Sequence, residues 1–185
     1  MAIIFELSAL CHSAAERDAF ATHIDGFAHE LRTTGKTIRW QARSDTTYSP
    51  FAVTGYAPSL SNRGVRTVVD ALEVTEAGLR FYDRLRTAPR FRCAIVGWDS
   101  GNIPPDEIVE WLTDDDGSEG WCLGPPYVID AALYGEIGRP QRYRPFCDGY
   151  WWEPYRGEQY RPLGSNDHPE LMSLKRALFP ELFQQ

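Results

Sequence analysis

The chain has 185 residues, of which 43% are hydrophobic and 13% aromatic, and a formal net charge of −7. This length fits one domain, and the apolar content is enough for a core, which argues against intrinsic disorder. No run of about 18 apolar residues is present, which excludes a helical membrane span. The apolar N-terminus has no basic start and no cleavage site of small residues, so we interpret it as a strand rather than a signal peptide.

The four cysteines, at positions 11, 93, 122 and 147, are too widely spaced for a C-x-x-C zinc or redox site. We expect them to be free thiols, mostly buried, in the reducing cytoplasm. Arginine outnumbers lysine 17 to 2, which suggests GC-rich coding and a bacterial source.

The first part of the chain predicts a strand followed by a helix. Ala2–Ser8 is apolar enough for the strand. Ser13 and Glu16 form a capping box, in which both side chains satisfy free amides at a helix start. The helix is expected to end at Gly35 and to place His29 on its surface. Its apolar stripe is Phe20, Ile24, Phe27 and Leu31.

The next segments predict strands and a helix in alternation. Thr37–Arg43 and Phe51–Tyr56 alternate apolar and polar residues, as half-buried strands do. Val65–Val74 is apolar and β-branched and predicts another strand, whereas Thr75–Arg86 has the apolar spacing of a helix. Phe91–Trp98 is the best candidate for a central strand, because it contains a continuous apolar run.

The remaining chain predicts a short helix, an irregular cover and a terminal helix. Prolines and acids at 104–107 suit the first turn of a helix that extends through Leu112. Together these elements predict an α+β fold, with a mostly antiparallel or mixed sheet and helices packed on one face. We expect a single domain: an α/β core over 1–113, an irregular segment over 114–165 that is acidic and then rich in aromatic and arginine residues, and a helix within 166–180.

The net charge is concentrated in one central segment. Residues 93–138 contain ten acidic residues and no lysine, arginine or histidine. A surface of one sign attracts an oppositely charged partner and speeds the encounter. We therefore predict a surface that binds a basic protein, formed by Asp106, Glu107, Glu110, Asp114, Asp115, Asp116 and Glu119. The alternative is a solvated helix and turn, as most runs of like charge are.

Direct binding to duplex nucleic acid is not expected, because phosphate contacts require a basic footprint. Catalytic motifs are also missing. Gly35-Lys36-Thr37 lacks the upstream glycine of a phosphate loop, and the serine of Gly97–Gly101 comes one position late for a nucleophile elbow. Asp114-Asp115-Asp116 lacks the spaced ligands of a calcium loop. We therefore assign no catalytic residue, metal or cofactor.

The segment from Arg139 to Leu163 interleaves aromatic residues with arginines, and these residue types are enriched at binding hot spots. It could form one wall of a cleft, or a cover whose rings pack on the sheet. If a ligand site exists, we expect it to include Asp99 and Ser100 at the end of the central strand. The other residues of that predicted site are Tyr150, Trp151, Trp152 and Arg156.

Three functional hypotheses follow from these patterns. The first is a non-catalytic acidic protein-binding module, such as an inhibitor or immunity-type protein that neutralises a basic toxin or nuclease. The alternative is an enzyme or small-ligand-binding protein with a cleft between the sheet and the aromatic segment. The third is an oligomerising subunit that buries exposed aromatic residues at a symmetric interface.

Overall fold

A seven-stranded antiparallel sheet forms the centre of the structure, a computed structural model that describes residues 4–44, 49–61, 64–98, 100, 106–113, 127–158 and 169–184. The strands are β1 (Phe5–Leu10), β2 (Ala28–Glu30), β3 (Thr37–Arg39), β4 (Gln41–Ser44), β5 (Ala52–Tyr56), β6 (Cys93–Trp98), β7 (Tyr127–Asp130), β8 (Arg144–Cys147) and β9 (Tyr150–Trp152). The helices are α1 (Ala14–Ile24), α2 (Val68–Leu85), α3 (Ile108–Thr113), α4 (Ala131–Glu136) and α5 (Pro169–Leu178), followed by a 3-10 turn over Pro180–Phe183.

The strand order across the sheet is β4-β5-β1-β6-β7-β9-β8, and β2 pairs with β3 in a separate ribbon. Every neighbouring pair is antiparallel, which together with the helices confirms the predicted α+β class. The predicted central strand is confirmed too, because β6 is the fourth of the seven strands.

The alternation of side chains along β1 gives the sheet two buried faces. Phe5, Leu7 and Ala9 belong to the larger core cluster, which also contains the buried residues of α1 and α2 and Leu171 of α5. Leu10 belongs to a second cluster on the opposite face, with Cys93, Ile95 and Ile129 of the neighbouring strands. The three longer helices thus pack on one face, as expected. Helices α3 and α4 pack on the other face, which the prediction of helices on one face did not include.

Helix α1 ends at Ile24, so the predicted continuation through Leu31 is wrong. Asp25 leaves the helical conformation with ψ 135°, and Gly26 has a φ of +71°, a left-handed conformation that ends helices. The chain then forms β2, which pairs with β3. Leu31 is fully buried, but from the β2–β3 ribbon rather than from a helix.

His29 therefore lies in β2 instead of on α1. Its ring stacks on Trp40 at a centroid distance of 5.9 Å, and Trp40 Nε1 donates a hydrogen bond of 3.4 Å to His29 Nδ1. Burial lowers the pKa of His29 to about 4, so the imidazole is neutral at physiological pH. This histidine is a half-buried packing residue of the ribbon.

Residues 37–43 form two strands in different sheets instead of the single strand predicted. The interruption falls at Trp40, whose amide donates to the carbonyl of Phe27 and whose carbonyl accepts from the amide of Gly26. The predicted inward face is confirmed, because Ile38 and Trp40 are buried and Ala42 packs against the larger cluster.

The predicted strand Val65–Val74 is wrong, because α2 begins at Val68. Thr67 Oγ1 accepts from the amide of Asp70 at 3.1 Å, and Asp70 Oδ2 accepts from the amide of Thr67 at 3.0 Å. This reciprocal capping box fixes the helix start and outweighs the weak strand preference of the β-branched residues. The second half of α2 confirms the helix predicted over Thr75–Arg86.

The segment predicted to be irregular, residues 114–165, contains β7, α4, β8 and β9 in its described part. These strands have only three or four residues each, and a bulge interrupts the pairing between Pro145 and Cys147. Such short pieces show no period in the sequence, which is why they were missed. Residues 153–158 are without regular structure, as expected. The terminal helix is confirmed as α5.

A buried carboxylate on α2 attaches the β2–β3 loop to the helix. Glu76 is fully buried and accepts from the amides of Arg32 and Thr33 at 2.9 and 3.2 Å. Its Oε1 also lies 3.1 Å from Arg32 Nε, and Arg32 Nη2 contacts Glu181 at 2.8 Å. Glu76 thus connects α2, the loop and the C-terminal turn.

Replacing Glu76 with alanine should lower the free energy of unfolding by about 3 kcal/mol, because two backbone amides and a guanidinium lose their acceptor. Urea unfolding followed by tryptophan fluorescence measures the change. Glu30→Ala, at an exposed position of β2, is the control and should leave the midpoint unchanged. A Glu76→Ala protein as stable as the wild type would contradict this role.

Candidate functional site

Helix α3 presents the described part of the acidic segment at the surface. Ile108 and Leu112 are buried in the second core cluster, which fixes the orientation of the helix. The acidic face, which we define as Asp106, Glu107 and Glu110, is exposed. Three of the seven residues predicted for partner binding are thus solvent-accessible: Glu110 on α3, and Asp106 and Glu107 in the turn just before it. The other four, Asp114, Asp115, Asp116 and Glu119, lie outside the described residues.

Trp111 is exposed beside these carboxylates. Its side chain is 46% accessible, which is unusual for a tryptophan in a folded domain. The amide of Trp111 donates to the carbonyl of Glu107 at 2.9 Å, so the two residues lie one helical turn apart on the same side of α3. The sequence gives no signal for this exposure, because the i, i+3 spacing from Ile108 would place Trp111 on the inward side of the helix.

Arg142 holds the C-terminal end of α3. Its Nη2 donates to the carbonyl of Leu112, one of the last carbonyls of the helix, and its Nε lies 3.7 Å from Glu153. A cation at this end also interacts favourably with the helix dipole. One arginine of the aromatic segment therefore positions the acidic helix.

The carboxylates of the acidic face have no ion pair within the described ranges. The other two described acids of residues 93–138 have partners: Asp130 Oδ2 lies 3.1 Å from His12 Nε2, and Glu136 Oε2 lies 3.2 Å from Arg92 Nη2. Within the described ranges, the unpaired carboxylates of the segment are therefore those of the acidic face.

An open cleft of about 500 Å³ adjoins the acidic face. It lies where β1 ends and where β5 and β6 begin, since Leu10 pairs with both Ala52 and Cys93. Asp106 belongs both to the acidic face and to the lining of the cleft. The described residues that line it are Leu10, Cys11, His12, Ser49, Pro50, Phe51, Arg92 and Asp106.

The aromatic residues predicted for a ligand cleft lie on opposite faces of β9. Tyr150 stacks on Phe91 at 4.3 Å, and its hydroxyl donates to the Phe91 carbonyl and accepts from the Phe91 amide. Trp152 is buried in the larger cluster, whereas Trp151 packs against the second cluster and stacks on Tyr134 at 4.2 Å. Their rings pack on the two faces of the sheet next to its edge strand β8, and Arg156 is exposed.

The end of β6 leads to a buried polar cluster that the sequence analysis did not find. Trp98 Nε1 donates to Glu158 at 2.9 Å, and the hydroxyl of Tyr155 donates to the other oxygen of Glu158 at 3.0 Å. Gly78 of α2 leaves room for Tyr155, because a Cβ there would lie 2.6 Å from the tyrosine hydroxyl. The amide of Glu158 donates to Thr75 of α2 at 2.9 Å.

Lys175 of α5 joins this cluster by donating to the carbonyl of Glu158. It is only 2% exposed, and its spacing from Leu171 places it on the inward stripe of the helix, a signal that the sequence offered. Ser100, two residues beyond β6, has a buried Oγ for which the described residues offer no partner. Asp99 lies outside the described residues. The cluster anchors residues 153–158 to α2 and α5.

The described cysteines do not have the properties of nucleophiles. Cys11, Cys93 and Cys147 are free thiols, and burial raises the pKa of Cys11 and of Cys93 to about 12. His12 contacts Asp130 instead of activating Cys11. Within the part of the chain that the structure describes, no group of three or more histidine, cysteine or acidic side chains could hold a metal ion.

Glu158 gives a testable dependence of stability on pH. Burial raises the pKa of its carboxyl, so the folded protein loses stability as the pH rises through that pKa. Glu158→Gln stays neutral and can still accept from Trp98 and bond to Tyr155. Its free energy of unfolding should equal that of the wild type at about pH 4 and exceed it at about pH 8. Urea unfolding at both pH values measures this, with Glu170→Gln as the exposed control.

A Glu158→Gln protein less stable than the wild type at the higher pH would show that the ionised carboxylate, rather than the neutral acid, is what the fold prefers.

Comparison with protein-family models, with curated proteins and with solved structures finds no match for this chain. None of the helices in the described residues is both long and apolar enough to cross a membrane. What can be inferred about function therefore depends on the geometry and charge of the residues themselves.

Proposed function

We propose that the chain is a non-catalytic protein-binding module that uses α3 to dock a basic protein, in the manner of an inhibitor or immunity-type protein that neutralises a toxin or nuclease. The observation on which this rests is the acidic face beside Trp111. Three exposed carboxylates without an ion pair among the described residues lie at the start of α3 and beside the exposed Trp111, and Ile108 and Leu112 anchor this helix in the second core cluster.

Electrostatics favours a basic partner. The ten acids of residues 93–138 are unaccompanied by any base in the sequence, and those described on α3 remain uncompensated in the fold. Such a surface steers an oppositely charged protein and raises its association rate, an effect that salt weakens. We expect the encounter to take place in the cytoplasm, where the three described free thiols would stay reduced.

Trp111 supplies the apolar contact that charges alone do not provide. Tryptophan is the residue type most enriched at interface hot spots, and its ring also binds the cationic groups of lysine and arginine. Because Glu107 and Glu110 lie beside it, Trp111 suits a partner whose surface presents basic side chains. The acids would then determine the association rate, and Trp111 the lifetime of the complex.

The alternative, an enzyme or small-ligand-binding protein with a cleft at the aromatic segment, has less support from the geometry. Tyr150 and Trp152 use their rings and polar atoms in packing. Trp151 points to the other face of the sheet, against Tyr134. These three residues do not converge on one cleft.

The proposal predicts a separation of kinetic effects. We expect the triple variant Asp106→Asn, Glu107→Gln, Glu110→Gln to bind a basic partner with an association rate lowered by about tenfold at low salt, and with a weaker salt dependence. Trp111→Ala should instead raise the dissociation rate, at a cost of about 2 kcal/mol. Surface plasmon resonance at several salt concentrations, with the partner recovered from a lysate at low salt, measures both rates.

The matched control is the triple variant Glu30→Gln, Asp83→Asn, Glu170→Gln, which makes the same change in net charge at exposed positions on other elements. If both triple variants lower the association rate equally, net charge alone attracts the partner and the α3 surface has no special role. If neither changes it, the proposal fails.

A further inference from the structure

We propose that the cleft beside α3 receives one lysine or arginine side chain of the basic partner, with Asp106 as the carboxylate that binds it. This inference rests on the proposed function and names the contact that would give it specificity. It follows from the charges, the walls and the hydrogen bonds of the cleft.

The uncompensated charge of the cleft is negative. Of the described residues that line it, three have basic or acidic side chains: His12, Arg92 and Asp106. His12 is engaged by Asp130 and Arg92 by Glu136, both from α4 and its cap. The carboxylate of Asp106 has no counterpart in the described ranges. A cation is therefore the charge that the cleft accepts.

The walls of the cleft suit a long side chain with an apolar stem. Leu10, Pro50 and Phe51 supply apolar surface, and lysine and arginine lay their methylene groups on such surface while the charged end reaches a polar partner. The volume of about 500 Å³ exceeds what a single side chain needs, so an adjoining residue of the partner could enter with it.

The cleft is formed before anything binds, because its lining residues are hydrogen-bonded to one another. The amide of Arg92 donates to the carbonyl of Leu10 at 2.7 Å, and the amide of Cys11 donates to the carbonyl of Phe51 at 3.0 Å. Ser49 Oγ accepts from the amide of Phe51 at 3.1 Å. Because the site is preformed, its loops do not lose conformational entropy on binding, which favours affinity.

The test is an NMR titration of the full chain with N-acetyl-arginine amide, a probe that carries the side chain without a partner protein. N-acetyl-citrulline amide, which has the same shape and no charge, is the matched control. We expect the arginine probe to shift the amide signals of residues 10–12, Ser49, Phe51 and Arg92, and the citrulline probe to leave them in place.

Two variants test whether Asp106 and Arg92 determine the binding of the arginine probe. Asp106→Asn should weaken binding of the arginine probe by about tenfold, whereas Asp148→Asn, in the exposed turn between β8 and β9, should not. Arg92→Gln removes a positive charge from the lining and leaves Glu136 unpaired, so it should tighten binding. A tightened complex is an effect that a merely structural role of Arg92 would not produce.

The outcomes separate this inference from the proposed function. Shifts confined to residues 107–113 would overturn the cleft and leave the docking surface standing. Equal shifts with both probes, or no shift with either, would also disprove that the cleft binds a cationic side chain. The proposed docking surface at α3 would still be tested by the association rate of the triple charge variant.

Discussion

The pairing of β1 with β5 on one side and β6 on the other is the constraint from which the rest of the architecture follows. In this register one set of β1 residues faces α1 and α2, and the other set faces the opposite side of the sheet. Leu10, with Cys93 and Ile129, forms the apolar bed on which Ile108 and Leu112 of α3 lie. A shift of β1 by one residue would move Leu10 to the opposite face of the sheet and remove it from the apolar surface that anchors α3.

The fold separates the acids of the central segment into two groups. On α4 and its cap, Glu136 and Asp130 contact Arg92, just before β6, and His12, just after β1. These contacts attach α4 to the sheet beside the cleft. The carboxylates of the acidic face have no such counterpart among the described residues, so the unpaired charge of the described part of the segment lies beside the exposed Trp111. Among its described residues, one segment of the sequence thus contains acids that pair within the fold and acids that stay unpaired at the surface.

Sequence patterns predicted the elements whose signals are local and strong. β6 was predicted by its apolar run and α3 by its prolines and acids. The predicted α1 was too long because Phe27 and Leu31 continue the helical spacing of apolar residues by coincidence. The left-handed conformation of Gly26 ends the helix before them. In α2 the capping box at Thr67 and Asp70 was overlooked in favour of β-branched residues. Of the candidate site, the exposure of the acids was predictable. The cleft, the ion pairs and the cluster around Glu158 depend on contacts between residues that are distant in sequence, which periodicity does not show.

The most direct test of the central claim is hydrogen–deuterium exchange of the chain alone and in complex with a basic protein recovered at low salt. The account predicts that the largest protection on binding falls on peptides covering residues 106–113, with weaker protection at residues 10–12 and 49–51. Protection confined to the β2–β3 ribbon, α5 or the β8–β9 hairpin, with residues 106–113 unchanged, would contradict it.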